Sequence, residues 1–387
     1  MKPLESIFDP RVLARLDRWR KAHSLFLRPD TVEAERALAE ALERRWLRAQ
    51  VYGRARRVLV DRIPALLPDL AEKLGPAAEQ VRVSPEDFNQ TKWDAVGNLM
   101  PLKLACWQVR ALWLLDALRS GKLYVEFQPI FDLRSGLPLG FEGLLRAESA
   151  DGTRHLAAEI FPAAIVLGIE LPFERLSWIT VLEAAQRLPS DTMVFLNVNP
   201  QLLVNAESSL ARLGEEAERM EFPYARLALD LIEIERIESL ERLQQALAVP
   251  HDLGVSIALD NVTSSYGTLK YCSGLAPRWI KVDSEITRHI RADPQRRAIL
   301  QLLSQVAREA RVGLIAEGIE NAEDLDVCVE EGVFAAQGYF LARPSTNPGE
   351  ATEEFKAWLE EHRAVAEPDV PPPPAPAPSS VPPGDDF

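Results

Sequence analysis

Residues 256–271 read SIALDNVTSSYGTLKY. An apolar run stops at Asp260 and Asn261, and a loop of small hydroxyl residues follows. Either Asp260 is a turn residue, or it holds a metal. The same pattern recurs through the middle of the chain. Strand-like apolar runs stand at YVEFQPIFDL (124–133), GFEGLLRAE (140–148), MVFLNVN (193–199), RLALDLIE (226–233), SIALDN (256–261), WIKVD (279–283), GLIAEGIE (313–320) and AAQGYFLA (335–342). Helical periodicity separates several of them: PFERLSWITVLEAAQRL (172–188), DPQRRAILQLLSQVAREA (293–310) and NAEDLDVCVEEG (321–332), the last with Asn321 as cap and Gly332 as stop. Eight strands with intervening helices between residues 121 and 349 imply a (β/α)8 barrel. The rival is a doubly wound open sheet, but no Gly-rich phosphate loop follows a first strand.

Outside that region the patterning changes. Residues 1–120 read as an all-helical regulatory or dimerisation region. The run TVEAERALAEALERRWLRAQVYGRARRVLVDRIPALLPDLAEKLG (31–75) has apolar residues at three- and four-residue spacing and a Gly stop. MPLKLACWQVRALWLLDALRSG (100–121) carries Trp107 and Trp113, read either as packing or as a signalling or dimer face. A C-terminal helix is expected over 350–366. The tail EPDVPPPPAPAPSSVPPGDDF closes the chain, and 367–387 is expected to be disordered or polyproline II.

Composition narrows the class. The 387-residue chain is 47% hydrophobic, enough to bury a large core, and carries a net charge of −14. That charge argues against duplex nucleic acid as a partner, because phosphates need a basic face. It leaves room for a small phosphate ligand if cations invert the field of an acidic pocket. No apolar run approaches the ~20 residues of a membrane span, and the charged start MKPLESIFDPRVLARLDRWRK lacks a signal-peptide apolar stretch. Cys106, Cys272 and Cys328 lie far apart without metal spacing and read as buried thiols in a cytoplasmic protein.

The informative feature is what ends each strand. Glu142 sits in the second, with Arg146 four residues on. Asn197, Glu233, Asp260, Lys281 with Asp283, Glu317 and Gln337 follow in order. Singly, such residues are ordinarily turn or cap residues. In a barrel the C-terminal strand ends converge on one face, and buried carboxylates without partners are costly. Jointly they form a cluster of hard oxygen donors suited to Mg²⁺ or Mn²⁺.

At these residues the chain resembles the EAL domain family, bacterial phosphodiesterases and receptors for cyclic di-GMP. FQPIFDLRSGLPLGFEGLLR (127–146) is similar to the family's opening, with Glu-Gly-Leu where Glu-Ala-Leu is usual. LNVNPQLL, LALDLIE, WIKVD and LIAEGIENAEDLDVCVEEGVFAAQGYFLARP (314–344) resemble its later motifs. The resemblance implies a modified barrel whose first strand runs against the others, and often a homodimer. It implies that Glu142, Asn197, Glu233 and Asp260 hold one cation, with Asp260 bridging to a second that Glu317 binds. On the same resemblance Lys281 would orient or polarise the attacking water, Arg146 would contact a substrate phosphate, Gln128 would help seat the ligand, Gln337 would bond near the metal waters, and Glu320 and Asp283 would support the ligands. Catalysis would fall to Glu142, Lys281 and Glu317, giving linear pGpG from cyclic di-GMP.

One motif departs from the family. After Asp260 the family has a second Asp and then Phe-Gly-Thr-Gly; here stand Asn261, Val262, Thr263, Ser264 and Ser265. Asn261 offers a carbonyl but no charge, so a second cation loses an anionic ligand. Two functions follow: a metal-dependent cyclic di-GMP phosphodiesterase, weak or regulated, or a receptor that binds cyclic di-GMP or a protein partner without hydrolysis. A scaffold using the barrel and the Pro-rich tail for protein contacts is a third. No Gly-Gly-Asp-Glu-Phe motif is present, so synthesis of the dinucleotide is not expected.

Overall fold

The computed structural model describes residues 4–45, 47–86, 99–205, 208–263, 270–272 and 274–362. The expected tail over 367–387 and Ser264–Ser265 lie outside them. The chain divides into two compact units, Met1–Leu123 with Arg146–Phe173, and Tyr124–Leu145 with Glu174–Phe387.

The N-terminal region is not all-helical. Five strands, β1 (Ser24–Pro29), β2 (Ala49–Tyr52), β3 (Ala55–Leu59), β4 (Val81–Glu86) and β5 (Met100–Pro101), form a sheet in the order β2-β3-β1-β4-β5. Neighbouring strands pair antiparallel. Helices Val32–Glu43 and Ile63–Leu74 join β1 to β2 and β3 to β4, giving a split βαββαβ arrangement. The Arg- and Ala-rich composition of 45–60 masks the strands, but two physical signals are present. Gly53, with φ +60°, makes the β2–β3 turn, and Val58, Leu25, Leu27, Val81 and Val83 bury one face of the sheet. Helical starts and stops elsewhere follow the sequence. Thr31 Oγ1 caps Val32–Glu43 by accepting from Ala34 N–H at 3.2 Å, and Leu102–Arg119 ends just before Gly121, φ +67°.

Within this unit the two tryptophans of Leu102–Arg119 differ. Trp113 stacks on His155 with ring centroids 3.7 Å apart, whereas Trp107 is 55% exposed. Gln108 is a buried tie: its Oε1 accepts from Trp19 Nε1 at 3.1 Å, and its Nε2 donates to Val166 O at 3.1 Å.

The second sheet contains β6 (Leu123–Asp132), β7 (Pro138–Glu148), β8 (Arg154–Leu156), β9 (Met193–Val198), β10 (Leu227–Leu231), β11 (Ser256–Val262), β12 (Trp279–Val282), β13 (Gly313–Ala316) and β14 (Ala335–Ala336). Their order is β6-β14-β13-β12-β11-β10-β9-β7-β8, and a further β6–β7 pairing closes eight of them into a barrel. The steps from β7 through β9 to β14 are parallel, while β6 runs antiparallel to β14. The expected modified (β/α)8 barrel with a reversed first strand is thus present. β8 extends the sheet beyond the ring through pairs such as Arg146↔Leu156. Around the barrel, Asp293 and Asn321 cap helices Pro294–Ala310 and Ala322–Glu330. Glu353–His362 forms the C-terminal helix, starting three residues after the expected 350, and 363–366 lie outside the described residues. Among the described residues no helix is long and apolar enough to cross a membrane.

The barrel interior is layered by strand alternation. One layer is apolar: Ile130, Phe195, Ala228, Ala258, Trp279, Ile315 and Ala335, packed with Met193 and Phe334. Two residues further on each strand lies a polar side chain: Asn197, Asp230, Asp260, Lys281, Glu317 and Gln337. On the reversed β6 the step runs backwards, from Ile130 to Gln128. Period two therefore lifts one polar residue per strand to the same end of the barrel.

The Gly of Glu-Gly-Leu has a packing cause. A Cβ on Gly143 would stand 2.6 Å from Val181 Cγ1 on helix Glu170–Ala185. Gly143→Ala should therefore lower the melting temperature, by overpacking of about 1–3 kcal/mol. In a Val181→Ala background the cost should largely vanish. Equal losses in both backgrounds would show that Val181 is not the obstacle.

Candidate functional site

The polar layer closes around one amine. Lys281 has no solvent-exposed surface, and its Nζ lies 2.7 Å from Asp230 Oδ2, 2.8 Å from Glu317 Oε1, and 3.3 Å from both Glu142 Oε2 and Asp260 Oδ1. Amides complete the ring. Asn197 Nδ2 donates to Glu142 Oε1 at 2.9 Å. Gln337 Nε2 donates to Glu142 Oε2 at 2.6 Å and to Gln128 Oε1 at 2.9 Å. Gln128 Nε2 in turn donates to Ala342 O at 3.3 Å. Seven of the expected residues are thus brought together: Gln128, Glu142, Asn197, Asp260, Lys281, Glu317 and Gln337.

Glu233 is not among them. It lies past the end of β10 with φ +53°, and its half-exposed carboxylate pairs with Arg236 at 2.8 Å. Asp230 takes the expected place. The cause is parity: Asp230 is two residues from inward Ala228 and pairs in register with Asn197, whereas Glu233 is an odd number of residues on. Sequence patterning named Glu233 because it closes the run; counting by twos from Ala228 would have named Asp230.

The supporting residues also differ from expectation. Asp283 caps helix Ser284–Thr287, its Oδ1 accepting from Glu285 N–H at 2.7 Å, and Glu320 pairs with Arg288 at 2.6 Å. Thr287 Oγ1 donates to the backbone carbonyl of Glu317 and so steadies that strand end. Asn261 adopts φ +53°, a left-handed conformation that Asn tolerates. Its Nδ2 donates to Asp260 Oδ2 at 2.8 Å, so it presents a donor rather than an oxygen to the cluster. Arg146 is buried on β7, four residues and therefore the same face from Glu142, in the part of the strand that folds with the N-terminal unit.

Electrostatics show the cluster short of positive charge. Burial, reinforced by the Asp260 charge, pushes the Asp230 carboxyl well above its ordinary range. Burial likewise raises Asp260 and, more strongly, Glu317. Burial works the same way on Glu142, but the Lys281 ammonium and the Asn197 and Gln337 amides outweigh it and hold Glu142 low. Burial opposes the charge on Lys281, yet the four surrounding carboxylates keep it firmly protonated. One ammonium cannot balance four buried carboxylates, so protons or a further cation must.

The donor set fits a hard divalent cation. Asp230 Oδ1 is buried and accepts no hydrogen bond among the described residues, and Asp260 Oδ1 has only the 3.3 Å approach of Lys281. With Glu142, Glu317 and the Asn197 amide they offer the oxygen ligands such ions take. Among the described residues no three His, Cys, Asp or Glu side chains stand as an already formed metal site, since the acids turn toward Lys281.

Compared with known protein families, residues 111–344 match the EAL domain. The chain belongs to the EAL domain family. Among its relatives, "Probable cyclic di-GMP phosphodiesterase PdeG" of Escherichia coli is 26% identical over 238 residues, covering 59% of this chain and 46% of that protein. "Cyclic di-GMP phosphodiesterase PA2567" of Pseudomonas aeruginosa is 26% identical over 264 residues, 65% and 43% of the two chains. The chain spans less than half the length of either. Among solved structures, Bacillus subtilis YkuI, a complex with cyclic di-GMP and calcium, superposes with TM-score 0.55 at 24% identity over 65% of this chain and 63% of that one. These likenesses establish the fold.

Asp230 and Glu233 make opposite predictions. Calorimetric titration with Mn²⁺ should show Asp230→Ala losing binding and Glu233→Ala keeping it within about twofold. The reverse result would restore Glu233 as the ligand.

Proposed function

We propose that the barrel is a cyclic di-GMP phosphodiesterase dependent on Mg²⁺ or Mn²⁺, producing linear pGpG. The observation that carries this reading is the buried ring of Glu142, Asn197, Asp230, Asp260 and Glu317 about Lys281. The names of the relatives support the same substrate.

Asp230, Asp260, Glu142 and the Asn197 carbonyl would hold one cation, and Glu317 with Asp260 would serve a second. Such cations polarise a phosphoryl oxygen and acidify water. The remaining work falls to the chain. Lys281, held by four carboxylates that favour its charged form, would orient the attacking water. Glu142 is kept ionised by Lys281 and the two amides, so it stays a ligand at neutral pH. Gln337 ties Glu142 to Gln128 and fixes the wall against which the dinucleotide sits. Arg146 supplies a guanidinium for a phosphate. Asn261, by donating to Asp260, would leave a second cation one anionic ligand short and so make the enzyme slow or regulated.

The same Asn261 contact, with the acids turned in on Lys281, favours a second reading: a receptor that binds cyclic di-GMP without cleaving it.

Purified protein with Mn²⁺ should convert cyclic di-GMP to pGpG, and Glu142→Ala should abolish it. Asn261→Asp should raise the rate about tenfold or more. Micromolar binding of cyclic di-GMP with no turnover in either wild type or Asn261→Asp would establish the receptor instead.

A further inference from the structure

We propose that Glu174 is a positioning residue, whose buried carboxylate fixes the end of β9 and thereby aims Asn197 at Glu142. Glu174 lies on helix Glu170–Ala185 and is 4% exposed. Its Oε1 accepts from Asn199 N–H at 2.9 Å. Asn199 is the pivot where β9 becomes a helix: its Oδ1 accepts from Gln201 N–H at 3.0 Å, capping Pro200–Asn205. Two residues earlier on the same backbone, Asn197 makes its bond to Glu142.

The helix that carries Glu174 also fixes the other partner. Val181, seven residues on, fills the space a side chain would take at Gly143, directly after Glu142. One helix therefore sets β7 at Glu142 and β9 at Asn199, and the Glu142–Asn197 contact is held from both sides. Burial lifts the Glu174 carboxyl to a pKa of about 7 while the Asn199 N–H draws it down, so what this place supplies is an acceptor oxygen for an otherwise orphaned backbone N–H, whether charged or neutral.

Metal ligands depend on such outer partners; losing one typically costs 10–100-fold in affinity. The affinity arm rests on the proposed metal site, and the spectroscopic arm does not. In the full-length protein, Glu174→Ala and Glu174→Gln are compared with wild type by amide NMR and by Mn²⁺ titration. Glu174→Ala should shift the Asn199 backbone amide and the Asn197 side-chain NH₂ signals and weaken Mn²⁺ binding about tenfold. Glu174→Gln, which keeps an acceptor at the same place, should restore the signals and most of the affinity. A Glu174→Ala protein that melts earlier but keeps its Asn197 signals and Mn²⁺ affinity would overturn the proposal and leave Glu174 merely structural. If wild type binds no Mn²⁺, the metal-dependent reading fails, and the Asn197 signals alone decide the positioning role: moved by Ala and restored by Gln in support, unmoved against.

Discussion

A single ammonium among four acids governs the interior of the barrel. Lys281 is the point at which Glu142, Asp230, Asp260 and Glu317 meet, on four strands far apart in sequence. Carboxylates so close repel one another and resist burial; only the closed ring of strands, with its apolar layer one step below, keeps them in place. Taking away the lysine would leave uncompensated buried charge, the kind of loss that costs about 3–5 kcal/mol. The same constraint makes the site chemically useful. Charge that the lysine cannot balance is a standing affinity for a cation, and a cation is what a phosphodiester needs to approach an acidic mouth.

The barrel was legible because alternation and helix punctuation agree. Asn321 caps where expected, and apart from LALDLIE the apolar runs that carry site residues end where a polar side chain enters the mouth. What failed was parity. LALDLIE offers two acids, and only counting inward positions from Ala228 separates Asp230 from Glu233. The N-terminal sheet failed for another reason. Arginines between 45 and 57 serve on a helix or on a strand, and only the positive-φ turn at Gly53 separates the two by pairing β2 with β3. Lys281's central place was beyond sequence: a lysine at a strand end ordinarily reaches solvent, and only the surrounding acids draw it inward.

The division of the chain adds a functional constraint. β7 belongs to both units: Glu142 lies in its barrel part, while Arg146 lies in the part that folds with the N-terminal sheet, β8 and the helix Ala157–Leu167. In that unit, Gln108 and the Trp113–His155 stack join Leu102–Arg119 to Ala157–Leu167 and β8. The residue expected to grip substrate phosphate is thus built on the same framework as the N-terminal region, and the cation ligands are not.

The most direct measurement is a crystal of the protein soaked with Mn²⁺ and cyclic di-GMP, with anomalous diffraction recorded for manganese. The account predicts an anomalous peak inside the barrel mouth, ligated by Glu142, Asn197, Asp230 and Asp260, with a ligand phosphate beside it. No peak there, or one at Glu233 on the rim, would contradict it.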